Sequence, residues 1–365
     1  MSTADVPAPS VAPPIIRIGA LRWLRENLFN TWFNAILTIL AAWLLYSVVS
    51  RFIHWGLLTS VWSGPAAACQ APGSGACWAV ITEKHRFILF GRYPYEEQWR
   101  PLVMVLLFIA LVGVSAFRQL WGRVLGIAWA VGLLAMGVLM FGGVLGLPYA
   151  ATDTWGGLPL TLILSVATCV FAFPIGVLLA LGRRSNLPAV RSVCVAYIEL
   201  IRGVPLITVL FMASVMFPLL MPPGINFDKL LRVQIAFIMF AAAYIAEVVR
   251  GGLQAVPKGQ FEAADSLGLS YPQKTALIVL PQALRIVIPA LVNTFIGTFK
   301  DTSLVIIIGL FDLLSAAKAA LNEPQWRNYY IEVYIFIAVI YFGFCFFMSK
   351  YSQSLETELQ KGARR

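Results

Sequence analysis

Seven charged or amide residues stand within or at the edges of strongly apolar segments in the second half of the sequence. They are Glu199, Arg202, Glu247, Arg250, Asn293, Lys300 and Asp301. A charged side chain at the centre of a bilayer costs about 2.5–3.5 kcal/mol on insertion scales, so such groups usually face protein or water and have a role there. Their chemistry would be ion pairing, gating of a polar pathway or binding of a charged solute.

The spacing of these residues separates two kinds of pair. Glu199–Arg202 and Glu247–Arg250 are each three residues apart, which places both members on one helical face and favours interfacial ion pairs. Lys300 and Asp301 are adjacent, and neighbouring helical residues point about 100° apart. They therefore do not simply pair with each other, and a gate or a structural ion pair is equally open for them.

The elements that must position these residues are membrane-spanning helices. Hydrophobic residues make up 59% of the chain and charged residues 12%, more apolar surface than a soluble core buries. Apolar runs near twenty residues are typical of transmembrane helices. We therefore predict an all-α polytopic membrane protein with eight spans, near 32–52, 101–117, 124–146, 159–182, 203–221, 231–249, 284–308 and 329–349.

Lys and Arg indicate the orientation of the spans, because cytoplasmic loops are enriched in them. With a cytoplasmic N-terminus, the inside segments carry 17 basic residues and the three short outside connections carry four. Both termini are therefore expected in the cytoplasm. The net charge of +10 follows mostly from this orientation, so the bilayer is the expected partner and nucleic acid is not.

The character of the chain changes near residue 155, where polar residues begin to recur inside the spans. We predict a cytoplasmic tail at 1–31, an accessory module of three helices at 32–154 with a long outside loop at about 53–100, and a functional core at 155–365. Cys69 and Cys77 lie in that loop and either form a disulfide in an oxidising compartment or remain free thiols. No metal site is predicted.

Residues 257–281, PKGQFEAADSLGLSYPQKTALIVLP, are the most polar interruption between two of the later spans. Gln260–Leu267 favours a short helix, and Gly268 suits the left-handed position that ends helices. Ser270 stands three residues before Gln273, as in a capping box, and Pro272 fits the first turn of a second helix. The local pattern predicts two helices joined by a glycine bend, which an interfacial hairpin on lipid headgroups would also explain.

This loop resembles the EAA motif of ABC importer permeases, and the resemblance holds at every position that defines the motif. The residues at these positions are Glu262, Ala263, Ala264, Gly268, Ile278, Leu280 and Pro281. Other stretches resemble the polar amino-acid branch of these permeases, namely ELIRGVPL (199–206), EVVRGG (247–252), LPQALRIVIPALVNTF (280–295) and KDTSL (300–304). The resemblance covers 155–365, with five spans. The three earlier spans resemble the extension of general L-amino-acid permease subunits.

The resemblance implies a bacterial inner-membrane permease subunit that imports L-amino acids from the periplasm. Its coupling loop at 250–283 would fit a dimer of cytosolic ABC ATPases: Glu262 would meet a basic group, Ala263 and Ala264 would allow close approach, and Gly268, with Pro272, would shape the bend. ATP and Mg²⁺ would bind the ATPase, because this chain has no GxxxxGK[ST] sequence and is not expected to be an enzyme. A second, related permease subunit and a periplasmic amino-acid-binding protein are the other implied partners.

The substrate pathway is expected among polar residues of the core. An amino acid presents a carboxylate and an ammonium, so its cavity needs oriented donors, acceptors and a charge. Pro174, Pro205 and Pro289 are expected to break spans and free backbone groups for this purpose. The candidates are Thr208, Asn293, Thr294, Lys300, Asp301, Thr302 and Ser303, although Asn293 and Thr294 more often serve helix–helix hydrogen bonds.

Two other classes of protein compete with this interpretation. A self-sufficient ion-coupled carrier would use Glu247, Lys300 or Asp301 as its coupling group and would need no ATPase. The EAA spacing argues against it. A membrane scaffold would leave the polar residues after 155 without a purpose.

Overall fold

The computed structural model describes residues 19–222, 224 and 227–363. Residues 1–18 of the predicted tail lie outside this range. The described chain divides between Cys77 and Trp78 into two compact units.

The first unit contains two helices and a compact loop. Helix α1 covers Ala20–Asn27 and α2 covers Trp32–Ile53, which continues into a π-helical turn at His54–Leu58. Thr31 begins α2 by accepting a hydrogen bond from the backbone N–H of Asn34, a common N-cap arrangement. A disulfide joins Cys69 and Cys77, whose Cα atoms lie 5.5 Å apart.

The second unit holds the remaining helices. They are α3 (Ala79–Phe90), α4 (Trp99–Ser115), α5 (Arg123–Phe141), α6 (Gly157–Arg183), α7 (Pro188–Gly203), α8 (Leu206–Phe211), α9 (Phe217–Leu219), α10 (Lys229–Ala255), α11 (Lys258–Ser266), α12 (Tyr271–Lys274), α13 (Leu280–Asp301), α14 (Leu313–Ala320) and α15 (Tyr330–Ala363). Counted over the described residues of both units, seven helical segments are long and apolar enough to cross a membrane. The number becomes eight if one bent pair of helices counts as a span.

The bent pair replaces the predicted span at 203–221. Helix α7 occupies residues that were expected to be a connection, and the chain turns by 102° before the segment Leu206–Leu219. The cause is Pro205, because proline disfavours helical backbone in the residue before it, and Val204 is extended with ψ 134°. Of the three prolines expected to break spans, Pro205 does so, whereas Pro174 and Pro289 lie inside continuous helices.

The predicted span at 284–308 begins earlier than expected. Helix α12, a π-helical turn at Thr275–Val279, α13 and a 3₁₀ turn at Thr302–Ile308 follow one another as a single 38-residue helical segment, Tyr271–Ile308. At about 1.5 Å per residue its length far exceeds the roughly 30 Å hydrocarbon core. The second helix of the polar loop is therefore the projecting end of a span.

Close helix contacts in the bundle depend on two glycines. A Cβ at Gly176 of α6 would lie 2.6 Å from Cγ2 of Ile245 on α10. A Cβ at Gly252 of α10 would lie 2.6 Å from the carbonyl oxygen of Ala283 on α13. Small residues allow such approach in membranes, where helix association depends on packing. Helix α10 therefore lies tightly between α6 and α13.

Helix α3 packs on the segment around α14, across the boundary that was predicted at 154. Lys84 Nζ lies 2.5 Å from Glu323 Oε1, and the indole N–H of Trp326 donates to Glu83 Oε1 at 3.2 Å. Trp326 is fully buried. These long-range contacts join α3 to the segment around α14 within the second compact unit. The accessory module at 32–154 stays a prediction.

Candidate functional site

The EAA loop, residues 250–283, has the helix–bend–helix form that its sequence predicts. Helix α11 ends at Ser266, and Gly268 follows two residues later with a φ of +68°, a value that favours glycine. The N–H of Gly268 donates to Asp265 at 2.9 Å and that of Leu269 to Ala264 at 3.2 Å, the two bonds of a Schellman motif. Beyond the bend, Gln273 Oε1 accepts from the backbone N–H of Ser270 at 2.9 Å, so α12 begins with the predicted capping box.

The motif residues differ in their exposure. Glu262, Ala263, Gly268, Pro272 and Pro281 are exposed, so they are available to another protein. In contrast, Ala264 is fully buried within this chain, and Leu280 is half-buried against the helix core. Close approach of a partner to the two alanines stays a prediction; within this chain Ala263 is accessible and Ala264 is not. Ala264 points about 100° away from Ala263 around α11, toward the interior of this chain, where its small size serves internal packing.

Polar contacts fix the EAA loop to the bundle. Lys274 Nζ lies 2.5 Å from Asp265 Oδ1 across the bend, and Gln282 Nε2 donates to Gln260 Oε1 at 3.0 Å. At the end of α6, Arg184 Nη1 donates to the carbonyl of Leu253 at 2.8 Å, and its guanidinium lies 5.8 Å from the ring of Phe261 on α11. The loop is thus attached to α6, α10 and α13.

An ion cluster lies next to this attachment. The carboxylate of Glu247 contacts Arg250 in the predicted i, i+3 pair, and also Arg183 at 3.2 Å and Arg202 at 3.7 Å. Glu199 pairs with Arg183 at 2.9 Å. The four residues of the two expected pairs therefore belong to one network that joins α6, α7 and α10 at the end carrying the EAA loop. Glu247 contacts Arg250 as expected, whereas Glu199 contacts Arg183 and Arg202 contacts Glu247. Arg183 was missed because only its contribution to orientation was considered.

A cavity of about 350 Å³ lies between α8, α10 and α13. It contains two of the predicted pathway residues, Thr294 and Asp301, together with Thr298 and Tyr244, which the sequence reasoning missed. Thr294, Thr298 and Asp301 follow the spacing i, i+4, i+7 and so share one face of α13. This periodicity was the signal that could have found Thr298.

The other predicted pathway residues do not line this cavity. Thr208, Asn293 and Lys300 are exposed elsewhere. Thr302 is fully buried, and its hydroxyl donates to the carbonyl of Phe299 at 2.8 Å; Ser303 is half-buried beside it. Lys300 thus lies on a different face of α13 from Asp301, as adjacent helical residues do.

A helical membrane bundle with a polar cavity between its central helices, and a braced polar loop at one end, defines a transport subunit of a membrane. Residues 172–357 match the family described as binding-protein-dependent transport system inner membrane component. The chain belongs to this family. It is therefore a multi-pass inner-membrane transport subunit rather than a catalytic one, and a self-sufficient carrier is not favoured.

Two curated relatives are similar over nearly the whole chain. The inner membrane amino-acid ABC transporter permease protein YhdY of Escherichia coli is 48% identical over 94% of both chains. The glutamate/glutamine/aspartate/asparagine transport system permease protein BztC of Rhodobacter capsulatus is 39% identical over 96% of both.

Shorter proteins match little more than half of this chain. The probable glutamine ABC transporter permease protein GlnP of Bacillus subtilis is 31% identical over 55% of this chain and 91% of its own. A crystal structure of an amino acid ABC transporter with histidines is similar with 33% identity and a TM-score of 0.50, over 55% of this chain and 92% of that one. The two longer relatives therefore cover part of this chain that the shorter proteins do not.

Proposed function

We propose that this chain is the permease subunit of an ATP-driven ABC importer that moves L-amino acids from the periplasm to the cytoplasm. The observation that carries the proposal is similarity over at least 94% of the chain to two relatives named as amino-acid permeases. The EAA loop supports it, because its exposed face is available to a partner while its contacts hold it rigidly.

The proposed partner of the EAA loop is a dimer of cytosolic ATPases, which binds ATP and Mg²⁺. Glu262 and Ala263 would enter a groove of the ATPase, with Glu262 facing a basic group. A partner shifts a conformational equilibrium only if it contacts the two states differently. Movement of the loop would reach α6 through Arg184 and α10 through the ion cluster around Glu247.

The cavity between α8, α10 and α13 is proposed to lie on the substrate pathway. Asp301 would attract the substrate ammonium, which could also donate to the hydroxyl oxygens of Thr294 and Thr298, because these hydroxyls already donate to the carbonyls of Ala290 and Thr294. The hydroxyl of Tyr244 would donate to the substrate carboxylate. Such a small number of convergent polar groups is typical of small-molecule sites. A periplasmic binding protein would deliver the amino acid, a related second permease subunit would complete the pathway, and both termini would lie in the cytoplasm.

The experiment is co-purification of the native chain from its own membrane in mild detergent, with mass spectrometry of the retained proteins. The same is done for Glu262→Arg, for Gly268→Trp, which imposes a positive φ on a large side chain, and for a control, Glu96→Arg. Glu96 is exposed and lies outside the EAA loop. An ATPase and a second permease should accompany the native chain and the control, and both loop variants should lose the ATPase.

The contrary result is equally definite. A chain that purifies alone, and takes up an amino acid into liposomes on an ion gradient without ATP, would overturn the proposal and establish a carrier. Retention of the ATPase by both loop variants would show that the coupling contact lies elsewhere.

A further inference from the structure

A second groove, distinct from the polar cavity, lies between α4, α5, α6, α13 and α15. Its volume is about 560 Å³, within the range of small-molecule sites. Its lining is almost wholly apolar and includes Phe108, Val112, Trp129, Cys169, Phe299 and Phe347. Because these residues belong to membrane-spanning helices, the occupant of the groove must be soluble in hydrocarbon.

The length of the groove matches one leaflet of a bilayer. Its lining along α15 extends from Val339 to Met348, a rise of nine steps or about 14 Å at 1.5 Å per residue. The hydrocarbon core is roughly 30 Å thick, so the groove covers about half of it. An extended acyl chain has this length and direction, and contributes no polar group that the lining would leave unpaired.

The groups around one end of the groove indicate the headgroup. This is the end of the bundle that carries the EAA loop, where α4 ends at Ser115 and α5 begins at Arg123. The indole N–H of Trp129 donates to Ser115 Oγ at 2.9 Å, as interfacial tryptophans do with polar neighbours. Lys350 and Arg123 are both exposed at this level, and cationic side chains near the membrane surface attract anionic headgroups.

We propose that this groove is a binding site for one acyl chain of an anionic phospholipid from the leaflet next to the EAA loop. The chain lies between the pair α4–α5 and the core helices α6, α13 and α15. Arg123 and Lys350 hold the phosphate-bearing headgroup. The lipid thus completes the packing of α4 and α5 against the transport core.

Two glycines of the groove allow it to be filled without disturbing the helices. A Cβ at Gly113 or Gly343 would meet no atom within 4 Å, and both residues line the groove. Gly343→Leu therefore occupies the site of the acyl chain. Gly126→Leu is the matched control, because Gly126 is equally open on α5 but does not line the groove.

The test is photo-cross-linking in native membranes before any detergent is added. A photoreactive phenylalanine analogue replaces Ile109, and peptide masses are read after digestion of the purified full-length chain. We expect a phospholipid adduct at position 109, reduced at least five-fold by Gly343→Leu and unchanged by Gly126→Leu. An adduct with a peptide of residues 32–58 or of another subunit would overturn the proposal, since a protein helix would then occupy the groove. Absence of any adduct would also overturn it.

A second arm tests the headgroup. The purified transporter complex that carries the same analogue is reconstituted into three kinds of vesicle with the same total amount of lipid: phosphatidylglycerol alone, phosphatidylcholine alone, and an equal mixture of both. In the mixture the two lipids compete for the groove. The adduct should favour phosphatidylglycerol at least three-fold, and a variant with Arg123→Gln and Lys350→Gln should lose this preference while retaining an adduct. Equal labelling by the two lipids in the unsubstituted chain would refute the anionic assignment.

Discussion

Replacing Gly252 by alanine is expected to force α10 away from α13. The new Cβ would lie 2.6 Å from the carbonyl oxygen of Ala283 and 2.7 Å from Cγ1 of Val287. Ordinary contact begins near 3.4 Å, so the helices must separate by about 0.8 Å or distort. Overpacking of this kind costs about 1–3 kcal/mol. The displaced part of α10 leads directly into the EAA loop.

The neighbouring residue provides a matched control. A Cβ at Gly251 would meet nothing within 4 Å, although Gly251 and Gly252 lie in the same helix. Replacing glycine by alanine inside a helix contributes up to about 1 kcal/mol through propensity in both variants. The propensity effect therefore cancels in the comparison, and the free energy of unfolding of Gly252→Ala should be about 1–3 kcal/mol below that of Gly251→Ala.

The assay is thermal unfolding of the purified complex in detergent, together with uptake of amino acid by proteoliposomes supplied with ATP. Gly252→Ala should unfold several degrees below Gly251→Ala and should transport more slowly. If Gly252→Ala is as stable as Gly251→Ala and equally active, the close approach of α10 and α13 does not contribute to the native packing, and the reasoning is refuted.

Glu247→Gln leaves three arginines without their shared carboxylate. Because the cluster is partly exposed, the free energy of unfolding should fall by about 1–3 kcal/mol. A variant whose unfolding midpoint at low salt equals that of the native chain would contradict this. Asp301→Asn should slow amino-acid uptake about 10- to 100-fold, because a charged hydrogen bond contributes roughly 1.5–3 kcal/mol. The melting temperature should not change. Undiminished uptake would show that this carboxylate is not part of the substrate pathway. The hydrogen bond from Lys84 holds the pKa of Glu323 below its ordinary value. The contribution of this pair to stability is therefore present above the unfolded carboxyl pKa of about 4.3 and is lost as the pH falls through the folded pKa. A double-mutant cycle with Lys84→Gln and Glu323→Gln should give a coupling of about 0.2–1 kcal/mol at pH 7 that weakens as the carboxyl becomes protonated at low pH. Absence of any coupling at pH 7 would disprove the pairing.

The features that the sequence predicted well are those with local causes. The bend at Gly268 and the capping box at Ser270 depend on backbone geometry within a few residues, so their spacing was sufficient. The role of Ala264 could not be read in this way. Which face of a short helix is buried depends on the helices beside it, and one residue separates exposed Ala263 from buried Ala264.

Contacts between distant segments account for most of the remaining differences. Arg183 stands 64 positions before Glu247, so no spacing within a helix could relate them. Tyr244 and Thr298 are of residue types that are ordinary in membrane helices, and only the folding of α10 beside α13 gives them a common cavity. No local pattern could relate Lys84 of α3 to Glu323 either, because 239 residues separate them along the chain.

The packing of α3 on α14 has a practical consequence for dissecting this protein. The shorter proteins align over about nine-tenths of their own length with only 55% of this chain. They therefore have few residues left that could form a counterpart of α3. A shortened chain that begins near 155 would thus resemble them in size while exposing the indole of Trp326 and the acid Glu323, which here have partners on α3. A minimal version should instead keep α3 and begin near residue 78, where the second compact unit starts.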